Sequence, residues 1–202
     1  MSVTSSPPTQ ASIPPTRPVV KAIFILVLIA MVFLQLFVTF RGLSSPAGMN
    51  SAQLARALAD GRGFQTNVVL PYAWKQHITL IADEPVAKMQ DTAQPPLPAL
   101  VLAPVFGQLR RYWEYDGRSR IYLLDRVVAA VSLLFYLAAM GVSYLTARRV
   151  FDTRVAGWMA VALLMCQFLW DVARGGLAPM MALFLFSIVL NRLTAALDRA
   201  AA

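Results

Sequence analysis

The chain has 202 residues, of which 58% are hydrophobic and only 14% are charged. A soluble domain carries about 25% charged residues, so this composition excludes an ordinary water-soluble globular domain and also a disordered chain. The net charge is +8, but the basic residues flank apolar blocks, which is typical of membrane topology and argues against nucleic-acid binding.

The first 18 residues are rich in Ser, Thr and Pro, and this composition predicts a disordered cytoplasmic tail. The apolar run at residues 22–40 is interrupted only by Gln35 and Thr39 and is long enough for a transmembrane helix. The residues after it do not form a convincing signal-peptide cleavage site. We therefore interpret the run as a retained first span at residues 20–40.

The segment at residues 41–126 is more polar and is predicted to be a long outer loop. Within it, residues 50–61 predict a short helix on the membrane surface, with Asn50 as its N-cap. The apolar run at residues 97–109 contains two prolines and is too short to cross a bilayer core. It predicts an interfacial or re-entrant helix.

Three further spans are predicted, at residues 127–145, 155–170 and 175–191. The expected fold is therefore all-α and polytopic, with about four transmembrane helices and interfacial helices in one module at residues 19–195. The loop between the second and third spans contains three arginines, and the positive-inside rule places it in the cytoplasm. Both termini, including a tail at residues 196–202, are then cytoplasmic, and residues 41–126 lie on the outer face.

The outer loop contains several residues that suit catalysis or binding. Asp91 is a candidate carboxylate, and a solvated loop residue is the alternative. His77 is the only histidine, and a lone histidine is more often a surface residue than a functional one. Asp83 and Glu84 offer hard oxygens to a divalent cation, although a solvated turn is the simpler interpretation. No cofactor is established by these residues.

Arginines also collect in this loop, at positions 110, 111, 118, 120 and 126. Guanidinium groups bind phosphates through paired hydrogen bonds, so these residues are candidates for binding a lipid phosphate. Contact with ordinary lipid headgroups is the alternative. Asp125 and Arg126 are predicted to form a local ion pair, as are Asp171 and Arg174. Gly141 is predicted to allow close approach of a neighbouring helix.

The order of these residues resembles that of a known family. Residues 49–64 read MNSAQLARALADGRGF, residues 95–98 read PPLP, and residues 147–151 read ARRVF. This order is similar to the amino-terminal half of the GT-C class of integral-membrane glycosyltransferases, the type that uses a polyprenyl-phosphate sugar. The resemblance covers residues 20–195.

The resemblance implies a cell-envelope enzyme of the cytoplasmic (inner) membrane that transfers a sugar from a polyprenyl-phosphate donor at the outer face. It implies catalytic positions at Asn50 and Asp91. The implied substrate-binding residues are Arg56, His77, Arg110, Arg111 and Arg126. Arginines or a divalent cation would hold the phosphate, and membrane lipids and a membrane-protein partner are the other expected contacts.

Two departures from the family pattern leave a second hypothesis open. The family has a carboxylate where this chain has Asn50, and an amide cannot accept a proton at physiological pH. Such enzymes also usually have more spans than the four predicted here. The alternative function is that of a non-catalytic structural or accessory subunit of a larger membrane complex.

Overall fold

The computed structural model of the chain describes residues 18–65, 94–114 and 121–201. These residues are helical, and no β-strand occurs among them. The helices are α1 (Pro18–Phe33), α2 (Pro46–Ala59), α3 (Pro96–Gln108), α4 (Leu123–Val150), α5 (Thr153–Met165), α6 (Gln167–Gly175) and α7 (Leu177–Ala201). A π-helical turn at Leu34–Val38 continues α1, and a 3-10 turn at Arg110–Tyr112 follows α3.

Three helical segments in the described ranges are long and apolar enough to cross a membrane. They are Pro18–Val38, Leu123–Val150 and Leu177–Ala200. A fourth span results if α5 and α6, which are bent by 58° relative to each other, are taken together. The predicted all-helical, membrane-embedded class of protein is confirmed, with three to four helices that can span a bilayer.

Two differences from the sequence-based helix boundaries lie after residue 150. The segment predicted as one span at residues 155–170 is broken, because Cys166 adopts an extended backbone (φ −76°, ψ 90°) between α5 and α6. The segment predicted as a tail at residues 196–202 continues α7 as far as Ala201. Its alanines, leucine and arginine favour helix, so nothing local ends the helix earlier.

Side chains from neighbouring helices stabilise the break at Cys166. A helix leaves its last carbonyl groups without partners from its own backbone. Here the Tyr136 hydroxyl donates to the Leu163 carbonyl at 2.6 Å, and the Trp170 indole N–H donates to the Leu164 carbonyl at 2.8 Å. The two rings pack edge to face with centroids 5.2 Å apart, and both side chains are buried. The broken backbone is therefore covered by protein, which is the condition for irregular backbone at membrane depth.

Helix α2 begins four residues earlier than predicted. Ser45 precedes it with an extended backbone (φ −94°, ψ 125°), and Pro46 takes the first helical position. Proline suits that position because its φ is already helical and its missing N–H would have no partner. Asn50 thus lies inside the helix, and its predicted role as N-cap is wrong. Gly61, just after the helix, has the positive φ of 77° that favours glycine.

Helix α2 packs onto α3 and is not a separate surface helix. Leu54 of α2 and Leu102 and Phe106 of α3 are buried in one core with residues from the first turns of α4 and α7. On the other side of α3, Leu97 and Leu100 are 47% and 50% exposed. The two short helices therefore cover the starts of α4 and α7, while α3 keeps a second apolar face for lipid.

The closest backbone approach joins α2 to the junction of α6 and α7. A Cβ atom on Gly48 would lie 2.1 Å from the carbonyl oxygen of Gly175, and one on Gly176 would lie 2.8 Å from the Gly48 Cα. The Ser132 hydroxyl donates to the Gly176 carbonyl at 2.8 Å and holds this junction against α4. Gly141 is exposed, and a Cβ there would meet nothing within 4 Å, so the predicted close approach at Gly141 is wrong.

We expect Gly48→Ala to lower the free energy of unfolding by about 1–3 kcal/mol, because the backbone at Gly175 must move to admit the methyl group. Gly141→Ala is the matched control, since it adds the same methyl group to a helix position with open space around it. Thermal unfolding of both purified variants in one detergent measures the difference. Equal melting temperatures for the two variants would contradict the close contact.

Candidate functional site

Two adjoining cavities open where the end of α1, the start of α2 and the junction of α6 and α7 meet. The large cavity, about 360 Å³, is bounded by the loop before α2, the first turn of α2, helix α6 and the first turn of α7. The small cavity, about 200 Å³, is bounded by residues 39–44 and by α6. Ser44 and Asp171 line both cavities. The volume of the large cavity is in the range of small-molecule sites.

The two cavities differ in charge. The small cavity is lined by two arginines, Arg41 and Arg174, together with Thr39. The large cavity is lined by apolar and small residues, including Phe168 and Gly48, and by the serines of the loop before α2. Asp171 lines both cavities, so the small cavity has two arginines against one carboxylate and suits an anion, whereas the large cavity has that carboxylate and no arginine or lysine among its described lining residues and suits a group without negative charge.

A chain of hydrogen bonds joins the buried part of α1 to Asp171. Gln35 lies in the π-helical turn and is only 2% exposed. It accepts a hydrogen bond from the Thr39 hydroxyl at 3.0 Å and donates to the side-chain oxygen of Gln167 at 3.5 Å. Gln167 in turn donates to Asp171 Oδ1 at 3.0 Å. Arg174 pairs with the same oxygen, so the predicted Asp171–Arg174 ion pair is confirmed.

The predicted Asp125–Arg126 ion pair does not form. The Asp125 carboxylate faces the loop after α1, where a Cβ on Gly42 would lie 3.9 Å from Oδ2. The Arg126 guanidinium lies over the Phe37 ring, 5.3 Å from its centroid, and its buried Nε has no hydrogen-bond partner in the described structure. The Nε–H group of Arg126 is thus available as a hydrogen-bond donor, next to the segment that borders the small cavity.

Three of the other predicted arginines make structural contacts and line neither cavity, and the predicted arginines at positions 118 and 120 lie outside the described residues. Arg56 and Arg110 lie over the Trp113 ring, at 5.0 and 5.7 Å from its centroid. Arg110 also donates to the carbonyl of Ala59 at the end of α2. Arg111 lies over the Tyr112 ring at 4.8 Å and donates to its hydroxyl at 2.8 Å. Cation–π contacts of this kind join α2 to the segment after α3.

Tyr122 belongs to the same group of residues. Its hydroxyl donates to the Trp113 carbonyl at 2.8 Å. Burial raises the pKa of Tyr122, and the charge of Arg56 partly opposes that shift. The hydroxyl therefore remains a donor at neutral pH, and it fixes the segment that carries Trp113 against the start of α4.

Neither predicted catalytic position is among the described residues that line the cavities. Asn50 is half-buried in α2 and lines neither cavity. Asp91 and His77, together with the pair at residues 83–84, lie outside the described residues. Within residues 18–65, 94–114 and 121–201, no three His, Cys, Asp or Glu side chains come together as they would around a metal ion.

Sequence reasoning missed the cavity role of Asp171, Arg41 and Ser44. Asp171 had been singled out only as half of an ion pair. The one local signal was the polar run of Asp171 and Arg174 followed by two glycines between apolar segments. No family model, curated protein or solved structure matches the chain, so its chemistry has to be inferred from these side chains.

We expect Gln35→Leu, which keeps side-chain size but removes the amide, to lower the free energy of unfolding by about 1 kcal/mol. The substitution leaves the Gln167 and Thr39 polar groups without their buried partner. Thr146→Val is a suitable control, because the Thr146 hydroxyl bonds only to the carbonyl of Val142 in its own helix. Denaturant unfolding in mixed micelles measures both, and an unchanged midpoint for Gln35→Leu would exclude a stabilising role for the chain of hydrogen bonds.

Proposed function

We propose that the protein is a glycosyltransferase-like integral membrane protein whose paired cavities bind a polyprenyl-phosphate sugar at the outer membrane surface. The observation that carries this proposal is the small cavity with its two arginines beside a larger cavity that is lined by no arginine or lysine among the described residues. A lipid-linked sugar phosphate has a matching distribution of charge, because its anionic phosphate would suit the small cavity and its neutral sugar the large one. The order of residues in the outer loop, which resembles the GT-C class, supports the same function.

The proposed topology has four spans, with both termini in the cytoplasm. Arg148 and Arg149 end α4 and Arg154 begins α5, at the end of these helices away from the cavities. Short arginine-rich loops of this kind remain on the cytoplasmic side. The cavities adjoin the start of α4 and the end of α6, and on this topology they open at the outer surface, where a lipid-linked donor presents its phosphate.

The phosphate-binding chemistry rests on guanidinium groups. Arg41 and Arg174 line the small cavity, and Arg126 offers a further unpaired guanidinium beside Phe37. Arginine binds phosphate through charge-assisted hydrogen bonds from a planar fork.

A second function, that of a non-catalytic accessory subunit, is favoured by Asn50, which has no carboxylate for acid–base chemistry. Purification of the intact chain in mild detergent separates the two functions. A stoichiometric membrane-protein partner without bound polyprenyl phosphate would favour the subunit. A solitary protein with bound polyprenyl phosphate would favour the transferase.

We expect Arg41→Gln and Arg174→Gln each to weaken binding of a short-chain prenyl phosphate about tenfold, which corresponds to about 1.4 kcal/mol. Each substitution removes one charge from the small cavity while keeping a polar side chain of similar length. Arg154→Gln, at the other end of the spans, is the control. Calorimetric titration of the detergent-solubilised variants measures the affinity, and a uniform response of all three variants would mean that the small cavity is not the phosphate site.

A further inference from the structure

We infer that Asp171 is the general base of sugar transfer, placed between a phosphate in the small cavity and an acceptor hydroxyl in the large cavity. The inference rests on the proposed function and adds to it the residue that accepts the proton. It differs from the expectation drawn from sequence, which assigned that role to the position of Asn50 or to Asp91.

The first reason is position. Asp171 and Ser44 are the two residues shared by both cavities, and Asp171 is the one carboxylate among the described residues that line them. A general base must lie within hydrogen-bond reach of the hydroxyl that it deprotonates. A carboxylate on the boundary meets that requirement for any hydroxyl directed from the large cavity toward the small one.

The second reason is the state of the two carboxylate oxygens. Gln167 and Arg174 both bond to Oδ1, and Oδ2 has no hydrogen-bond partner in the described part of the chain. The Asp171 side chain is 53% exposed and lines both cavities. One oxygen therefore holds the orientation of the group while the other remains available to take a proton.

The third reason is the chain of hydrogen bonds that orients Asp171. Gln167 is held by Gln35, and Gln35 is held by Thr39 at the end of α1. Gln35 is fully buried, so this arrangement fixes the Gln167 amide from inside the protein. Gln35 and Gln167 are thus positioning residues, and the carboxylate is oriented before any ligand arrives.

The charges of the two cavities favour one orientation of the donor and the acceptor. The arginines stand on the small-cavity side, where the leaving phosphate would gain negative charge. No arginine or lysine lines the large cavity within the described residues, which suits a neutral acceptor bearing a hydroxyl group. Asp171 also keeps Arg174 in place through their ion pair.

The transfer step balances without an oxidant or reductant. The acceptor oxygen forms a bond to the anomeric carbon of the sugar as its proton passes to Asp171 Oδ2. The bond between the anomeric carbon and the phosphate oxygen breaks, and its electron pair stays on the phosphate. Polyprenyl phosphate leaves, and Asp171 then returns its proton to water.

The test uses the full chain in lipid nanodiscs and a short-chain prenyl-phosphate hexose as the probe. Water serves as the acceptor, so hexose release reports the reaction and probe binding is measured separately. We expect Asp171→Asn to lower kcat for release at least about 100-fold while probe affinity stays within about threefold. Asp171→Glu retains the carboxylate and is expected to recover part of the rate.

Asp198→Asn is the matched control, since Asp198 pairs with Arg149 at the far end of the spans and its loss should leave release unchanged. Retained probe binding also shows that Asp171→Asn is folded.

The outcomes separate the inference from the proposed function. Hexose release that is equally fast in Asp171→Asn would overturn the role of Asp171 and leave the transferase proposal intact. Probe binding without any release by the unmodified protein would overturn the inference and favour an accessory subunit. An unmodified protein that neither binds the probe nor releases hexose would contradict both.

Discussion

The break between α5 and α6 at Cys166 is the constraint on which the rest of this structure depends. A helix that ends within the apolar part of a span exposes carbonyl groups that lipid cannot satisfy. Tyr136 and Trp170 donate to those carbonyls and cover them with two packed rings. The 58° bend then directs α6 toward the end of α1, and this brings Asp171 and Arg174 to the cavities.

The junction at the other end of α6 is equally restricted. The backbone of α2 approaches that of α6 and α7 closely because three glycines meet there: Gly48, Gly175 and Gly176. Association of helices in a membrane depends on such close packing, because lipid removes the usual hydrophobic gain. The contact sets the first turn of α2 beside the large cavity, which all three glycines line.

Arginines serve two different purposes in this protein, and the residue type alone does not distinguish them. Arg56 and Arg110 lie over the Trp113 ring and join α2 to the segment after α3, and Arg111 lies over the Tyr112 ring within that segment. Arg41 and Arg174 line a cavity instead, and only Arg174 has a carboxylate partner. A guanidinium stacked on Trp113 stabilises the fold, whereas one beside an open cavity is available to bind an anion.

The sequence by itself determined the all-helical class, the long apolar segments that can span a membrane and the two short helices between the first and second of them, because hydropathy and proline positions act locally. It also predicted the Asp171–Arg174 pair, since residues three apart share a helix face. Only the tertiary structure decided that Cys166 breaks a span, that Gly48 and not Gly141 is the close contact, and that Asp171 lies on two cavities. Each of these features depends on contacts between helices that are distant in the sequence. A local sequence pattern does not show which distant residue will bond to a given carbonyl group or pack against a given glycine.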